Sequence, residues 1–293
     1  MLRRASATGA AAAPGRLRVD PDATWTDTYG ELREGSKFSY TAEVQLSPLV
    51  GVVGETGDVL AIRARGEGAS PRRKLASLID DCVAAIPKEA RPRCELWIRI
   101  DSAGFSKDAV DACVCHEATV TITAEQHSAV RGAIAALEMG SSTTGASAKD
   151  ADGWRALRLR GRRDHLSLRL PRPTPCRPPP AIGPGEQLSF DDLDGWRLFA
   201  CVTNAPDEHS AIANDYHHRL RKGASEEAIR QLKSDFNMSH APVQDFFGNR
   251  VWWPSGALAY NVARWLRVLA PPEPFATCRA KRLRTSFLNV PAK

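Results

Sequence analysis

No long hydrophobic run occurs in this sequence. Its apolar residues come in short bursts such as Pro48–Val53, well below the roughly 18 consecutive apolar residues that a membrane-spanning helix needs. The pattern predicts neither a transmembrane segment nor a membrane partner.

The sequence also lacks the regular cysteine spacing of a disulfide framework. The seven cysteines are an odd number, and no apolar signal-peptide core precedes them. This usage predicts a protein of a reducing cytoplasm and not a disulfide-stapled secreted one. The run Cys113-Val-Cys115-His116 has ligand types that zinc accepts, but a second pair at metal-site spacing is missing, so we interpret these cysteines as structural.

The common nucleotide and hydrolase motifs are missing too. Neither G-x-x-x-x-G-K-[ST] nor G-x-S-x-G occurs, and Gly66-Glu-Gly68 lacks the third glycine of a dinucleotide-binding turn. These absences argue against P-loop enzymes, serine hydrolases and Rossmann-type dehydrogenases.

The sequence does contain an excess of positive charge, on a chain long enough to bury a sizeable core. Its 293 residues include 40 Lys+Arg against 34 Asp+Glu, which gives a net charge of +6 and a pI near 9.0. Most of these cations are arginine, whose planar guanidinium pairs well with phosphate. A polyanionic partner is therefore favoured.

Hydrophobic periodicity predicts a mixed α/β arrangement in the first half of the chain. Two β-rich runs, Val44–Val53 and Asp58–Ala64, flank a four-residue loop and are typical of an antiparallel hairpin. An amphipathic helix, an apolar strand, a second helix and another strand follow at 70–87, 96–100, 106–115 and 118–123. The order β-β-α-β-α-β indicates a layered α/β domain.

A basic hairpin and a proline-rich connector separate this part from the C-terminal part. Residues 154–170 alternate apolar and basic side chains, and eight arginines but one acid lie between Gly153 and Pro184. Such a surface either contacts phosphate or is a solvated edge that blocks aggregation. Seven of the 14 residues in Pro171–Pro184 are proline, which predicts a semi-rigid spacer.

Beyond the predicted strand Trp196–Thr203, the chain is expected to be helical. Ser225 is the expected N-cap of one helix. A further helix is expected to begin near Pro254, with an apolar stripe of Leu258, Val262, Trp265, Leu266 and Leu269. The predicted domains are an unstructured or misplaced start (1–18), a core (19–130 and 196–270), a β-rich basic insertion (131–195) and a basic tail (271–293).

Four acids stand where metal-assisted phosphoryl transfer would need them. Asp101 follows an apolar strand, Asp20 and Asp22 precede the first hairpin, and Glu226 begins a helix that carries Lys233 two turns later. Carboxylate oxygens are the ligands that Mg²⁺ prefers, and two such cations could activate water and stabilise the leaving oxygen. Isolated acids more often cap turns and helix starts, so the residues alone leave both interpretations open.

Several segments resemble bacterial DDE insertion-sequence transposases of the insertion sequence 1380 type. Leu96-Trp-Ile-Arg-Ile-Asp-Ser-Ala-Gly-Phe105 resembles the second-aspartate segment of that family, and Asp20-Pro-Asp-Ala-Thr24 resembles its first-aspartate strand. Phe199–Asn204 is similar to its "VVTN" strand, and Leu258–Asn261 to its late helix. Its Tyr, Arg, Glu, Lys signature is similar to Tyr216, Arg219, Glu226 and Lys233.

This resemblance extends from Val19 to about Phe287 and implies both a fold and a function. The implied fold is α/β, a ribonuclease-H-like mixed sheet with flanking helices, interrupted by a β-rich insertion and followed by a helical C-terminus. The implied function is a DNA transposase that cuts and rejoins transposon ends with Mg²⁺ or Mn²⁺. Asp22, Asp101 and Glu226 would hold the metal, with Asp20 the rival for the first position.

The resemblance also implies the partners and the location. Double-stranded DNA, both transposon ends and target, would be bound by a homodimer in a synaptic complex at the nucleoid of a bacterial cytoplasm. The expected DNA contacts are Tyr216, Arg219, Lys233, Arg230, Arg160, Arg162 and Arg163.

Departures from the family pattern introduce rival interpretations. Six residues separate Arg219 from Glu226 where the family spacing has three, and Pro21 falls in a strand that should be central, where proline removes a ladder donor. The short segment before the first aspartate and the early C-terminus are typical of a truncated copy. The rival function is a non-catalytic, sequence-tolerant DNA-binding remnant, and a third is a basic α/β protein without a nucleic-acid role.

Overall fold

The computed structural model describes residues 15–28, 33–38, 43–66, 69–124, 155–160, 165–170, 199–205, 211–269, 275 and 278–287. The chain divides into two compact units, Met1–Thr119 with Leu220–Lys293, and Val120–Arg219. Residues 1–14 of the predicted start (1–18), the proline-rich connector and most of the predicted insertion lie outside the described residues. The predicted domain boundaries therefore stay predictions, although the first strand already begins at Arg16.

Four strands of the first unit lie in the order β6-β5-β1-β7. They are β1 (Arg16–Ala23), β5 (Leu49–Val53), β6 (Val59–Arg63) and β7 (Glu95–Ile100). Strand β1 is antiparallel to β5 and parallel to β7, and β5 and β6 form an antiparallel pair. This mixed arrangement is compatible with the ribonuclease-H-like fold that the resemblance implies.

The predicted hairpin is confirmed, but its first predicted strand, Val44–Val53, is divided into two strands. Pro48 divides it, so that β4 (Val44–Leu46) pairs with the short strands β2 (Thr26–Asp27) and β3 (Lys37–Phe38) in a separate sheet. Only β5 continues into the hairpin with β6. The reason is local, since proline has no N–H to donate to a continuous ladder.

Pro21 does not interrupt β1. The strand continues through Ala23, with Pro21 opposite Gly51 of β5. The residues of β1 that pair with β7 are 16–19, so Pro21 lies beyond the ladder in which its missing N–H would be needed.

Helices cover both faces of this sheet. Helix α1 (Leu75–Ala85) buries Leu75, Leu78, Ile79 and Cys82, and a Cβ at Gly51 would collide with the Cys82 sulfur. On the opposite face, Val50 and Val52 belong to a core cluster with Leu232 and Trp253, because successive residues of a strand point to opposite faces. Helix α2 (Lys107–Cys115) follows β7, as the sequence predicted, and the structure shows that the Ser106 hydroxyl caps it.

The C-terminal helices begin earlier than predicted. Helix α4 (Arg221–Asp235) starts four residues before Ser225, and α5 (Phe246–Leu269) contains Pro254 within it. Ser225 is therefore not an N-cap: its hydroxyl donates a hydrogen bond to Asp20, a tertiary partner that local propensity does not reveal. Helix α6 (Ala280–Phe287) completes the unit's described helices.

The predicted apolar stripe of α5 is confirmed for Trp265 and wrong for its other four residues. Leu258, Val262, Leu266 and Leu269 are exposed, whereas Trp253, Ala257, Tyr260, Asn261, Arg264 and Trp265 are buried. Polar contacts account for this orientation. The Trp265 indole N–H donates to Asp58 at 2.8 Å, and Tyr260 donates to the Gly57 carbonyl at 3.0 Å.

Asn261 makes the most demanding of these contacts. Its amide accepts from the Val59 N–H at 2.9 Å and donates to the Val59 carbonyl at 2.7 Å, as another strand would. We expect Asn261→Leu to lower the free energy of unfolding by about 2–3 kcal/mol, because both buried backbone groups lose their partner. Urea denaturation measures this loss. Leu258→Ala, at an exposed position of the same helix, should stay within about 0.5 kcal/mol of the wild type, and equal losses in both variants would contradict the assignment.

The second unit contains four antiparallel strands in the order β8-β11-β10-β9. They are β8 (Thr119–Thr123), β9 (Arg155–Arg160), β10 (His165–Leu170) and β11 (Phe199–Thr203), so the predicted basic hairpin is confirmed. Helix α3 (Ala211–Arg219) contacts β8 through His218, whose ring nitrogens lie 3.0 Å and 2.8 Å from the hydroxyls of Thr121 and Thr123. In the described part of the chain, no helix combines the length and the apolar character needed to cross a bilayer.

Candidate functional site

Two aspartates meet at the carboxyl ends of β1 and β7. Asp22 lies near the end of β1, and Asp101 directly follows β7. Because the two strands are parallel neighbours, their ends reach the same edge of the sheet. The Asp101 carboxylate also accepts from the Gly104 N–H at 2.9 Å, which holds it at the start of a short 3₁₀ turn.

The guanidinium of Arg221 lies between these carboxylates. Its Nη2 is 2.9 Å from Asp22 Oδ2 and 3.9 Å from Asp101 Oδ2. Arg221 is the first residue of α4, so the sheet edge and the helix start supply the three charges of this site. One positive charge thus stands against two negative charges.

Asp20, the rival first acid, is part of the core and not of this edge. Its carboxylate is fully buried and forms two hydrogen bonds of 2.6 Å with the Arg99 guanidinium. The Ser225 hydroxyl donates to the same carboxylate. Gly54 closes the space above the pair, since a Cβ there would collide with the Arg99 guanidinium. Both oxygens of Asp20 are therefore already committed to structural partners.

The environment of Asp22 differs from that of an ordinary surface carboxylate. Burial raises the pKa of Asp22 from 3.8 to about 6, Arg221 opposes this rise, and the charge of Asp101 adds to it. The proton is thus held more tightly in the folded protein than in the unfolded chain.

This pKa predicts the sign of a pH effect. Stability contributed by Asp22 is present below its unfolded pKa of 3.8 and is lost as the pH rises through the folded value of about 6. Asn cannot ionise, so we expect the stability of Asp22→Asn relative to wild type to rise by roughly 2 kcal/mol between about pH 4 and about pH 7. Urea denaturation across this range measures the difference. Parallel curves for the two proteins would contradict it, and Asp108→Asn, an exposed carboxylate on α2, is the matched control.

Glu226 does not join the two aspartates. It is exposed on α4, and at 100° per residue it lies about 140° around the helix from Arg221. Among the described residues, no three His, Cys, Asp or Glu side chains form a group that could hold a metal ion. The structure thus brings together two of the three predicted ligands.

Of the two predicted DNA contacts on α4, one is partly buried and the other is already paired with a carboxylate. Lys233 is partly buried, and this burial lowers its pKa, while Asp27 opposes the effect. Arg230 is exposed but holds Glu227, one turn away, with its Nε at 2.7 Å from the carboxylate. A phosphate at Arg230 would have to compete with this internal carboxylate.

The structure includes some of the predicted DNA contacts of the second unit and not others. Tyr216 and Arg219 lie exposed on α3, with the Tyr216 side chain 53% accessible. Arg160 ends β9, and Arg162 and Arg163 lie outside the described residues. The roles of all these residues in DNA binding stay predictions.

Within Cys113-Val-Cys115-His116, Cys113 has the character expected of a structural cysteine, whereas Cys115 is exposed. Cys113 is buried, and this burial raises its pKa to about 12, so it holds its proton at neutral pH. His116 lies 2.8 Å from the Asp80 carboxylate.

Sequence reasoning missed the roles of Arg99 and Arg221. A signal existed for Arg99, because a charged residue inside an otherwise apolar strand needs a carboxylate on a neighbouring strand. No comparable signal marks Arg221, which is one of several cations near a helix start.

The arrangement does not fit the divalent cations that the resemblance implies. Two carboxylates converge, but a guanidinium already lies within 3.9 Å of both, and Glu226 faces elsewhere. A cation in this space would meet a fixed positive charge.

Comparison with models of protein families gives no match, and comparison with curated proteins gives none either. Among solved structures, the chain is similar to the piggyBac transposase in a synaptic complex with hairpin DNA, seen by cryo-electron microscopy, with a TM-score of 0.45 and 8% identity. The match covers 94% of this chain and 58% of that one, so this chain spans less than two thirds of the length of the piggyBac chain.

Proposed function

We propose that this chain is the ribonuclease-H-like core of a DDE-type DNA transposase that binds transposon ends and cuts and rejoins them. The observation that carries the proposal is the convergence of Asp22 and Asp101 at adjoining carboxyl ends of parallel strands. Both residues belong to segments that resemble the aspartate motifs of the transposase family.

The first acid of the proposed catalytic set is Asp22 and not Asp20. Asp22 is 23% exposed at its side chain and Asp101 39%, so both are accessible from solvent, whereas Asp20 is sealed by Arg99 and Ser225. Residues that take part in phosphoryl transfer must reach the DNA, and these two partly exposed carboxylates satisfy this requirement.

Glu226 completes the proposed catalytic set as its third acid. In this structure Glu226 lies apart from Asp22 and Asp101. A form that can cut DNA therefore requires α4 to bring Glu226 toward the two aspartates and to move Arg221 away from them. Arg219, Tyr216, Lys233 and the basic β9–β10 hairpin are the proposed contacts to double-stranded DNA. Their charge supplies the salt-sensitive part of the binding.

The second candidate is a DNA-binding remnant without catalysis. One observation favours it: Arg221 neutralises the carboxylate pair from within the chain. Such a protein would bind DNA with little sequence preference, and its affinity would fall steeply as salt rises, because neutralised phosphates release counterions.

Metal-dependent nicking of supercoiled DNA tests the first candidate. We expect the wild type to nick with Mg²⁺ or Mn²⁺, and Asp101→Ala to lose this activity, because the variant lacks one of the two converging carboxylates. Asp108→Ala removes an exposed acid of α2 and should nick like the wild type.

Three outcomes separate the candidates. Equal nicking by wild type and Asp101→Ala would contradict the proposed site. Salt-sensitive binding without nicking would favour the remnant. Undetectable DNA binding at low salt would remove both and leave a basic α/β protein.

A further inference from the structure

Arg221 is placed as a counter-ion for two carboxylates at once. Its Nη2 lies 2.9 Å from Asp22 Oδ2 and 3.9 Å from Asp101 Oδ2, and its side chain is 18% exposed. Among the described residues, neither Nε nor Nη2 has a partner that meets hydrogen-bond geometry, so the geometry is that of a charge held near two charges and not of a bidentate fork.

We infer that Arg221 takes the place of a divalent cation between Asp22 and Asp101 and prevents such a cation from binding there. The inference concerns the site of the proposed function, but it depends only on these three side chains. Exclusion of a divalent cation by Arg221 would therefore regulate this site both in an active transposase and in a remnant.

The charge balance supports this role. Arg99 already neutralises Asp20, so Arg221 is the cation that faces the two remaining carboxylates. A divalent ion between those carboxylates would lie close to the guanidinium. Repulsion between a double and a single positive charge at about 4 Å, even in water, corresponds to about a thirtyfold loss of affinity.

The helix anchors Arg221 in this position. One turn along α4, the buried Ser225 hydroxyl donates to the buried Asp20 carboxylate. Residues four apart lie on the same helix face, so this bond directs Arg221 toward the sheet edge. The helix cannot carry Arg221 away without breaking a buried hydrogen bond.

Direct binding of Mn²⁺ to the DNA-free protein, followed by electron paramagnetic resonance of the free ion, tests the inference. We expect no Mn²⁺ site at the Asp22–Asp101 pair in the wild type and a gain of at least about thirtyfold in affinity in Arg221→Gln. Adding Asp101→Asn to that variant should abolish the gain. Arg221→Lys keeps the charge and should resemble the wild type, and Arg250→Gln, at an exposed position of α5, is the matched control.

Two results would overturn the inference. One is Mn²⁺ binding by the wild type that Asp101→Asn removes, which needs no Arg221 variant and so does not depend on its folding. The other is an equal gain in Arg221→Gln and Arg221→Lys, which would show that charge is not the cause. Neither result depends on nicking, and the first would strengthen the catalytic proposal while removing this one.

Discussion

Replacing Arg99 with leucine is expected to destabilise the protein by about 3–5 kcal/mol. The Asp20 carboxylate would remain fully buried and keep the Ser225 hydroxyl but lose the charged partner that supplies two hydrogen bonds of 2.6 Å. An unpaired charge in the protein interior costs far more than the pair contributes.

Urea denaturation at neutral pH measures this loss. Arg63→Leu is the matched control, since Arg63 pairs with Asp81 at the surface, where an ion pair contributes no more than about 1 kcal/mol. In the double variant with Asp20→Asn, the buried charge is gone and much of the stability should return. A loss of about 1 kcal/mol or less in Arg99→Leu would contradict the burial of the pair.

The Arg99 experiment also bears on which aspartate belongs to the functional site. A structural Asp20 predicts that Asp20→Asn acts on stability, whereas Asp22→Asn acts on the pH dependence and on nicking. If Asp22 is the first acid, substitutions of Asp20 and of Asp22 therefore have different measurable effects.

Trp253→Ala is expected to cost about 3–5 kcal/mol as well. Trp253 is fully buried at the centre of the cluster that joins α5 to α4 and to the sheet, with Val50, Val52 and Leu232 among its members. Removal of the indole leaves a cavity that the strands of the sheet cannot fill.

Trp253→Phe separates cavity formation from other causes. The indole N–H has no hydrogen-bond partner in the part of the chain that the structure describes, so phenylalanine removes an unpaired donor along with part of the ring. We expect a loss clearly smaller than that of the alanine variant. Similar losses of stability in the two variants, measured by thermal or urea denaturation, would indicate that stability does not depend on the volume of the side chain at position 253.

Local patterns were sufficient for most elements of the fold. The hairpin β5–β6, helix α1, strand β7 and helix α2 were all predicted, and the structure confirms them. Each carries a signal within a few residues: a turn sequence, an apolar face at helical spacing, or a capping hydroxyl.

Predictions failed where a side chain has a distant partner. The sequence predicted Ser225 to be a helix cap, but its hydroxyl donates a hydrogen bond to Asp20, 205 residues away. The exposed leucines of α5 looked like its core face, yet the polar Asn261 is buried because it bonds to Val59. Propensity and periodicity are local quantities, and they cannot register such contacts.

The sequence by itself determined the types of residue available at the site, namely acids that follow apolar strands, and the basic character of the whole chain. Only the tertiary structure decided that Asp20 is buried against Arg99, that Asp22 meets Asp101, and that Arg221 stands between them. The physical reason is that a carboxylate's role depends on its solvation and its neighbouring charges, and both are set by chain segments far apart in sequence.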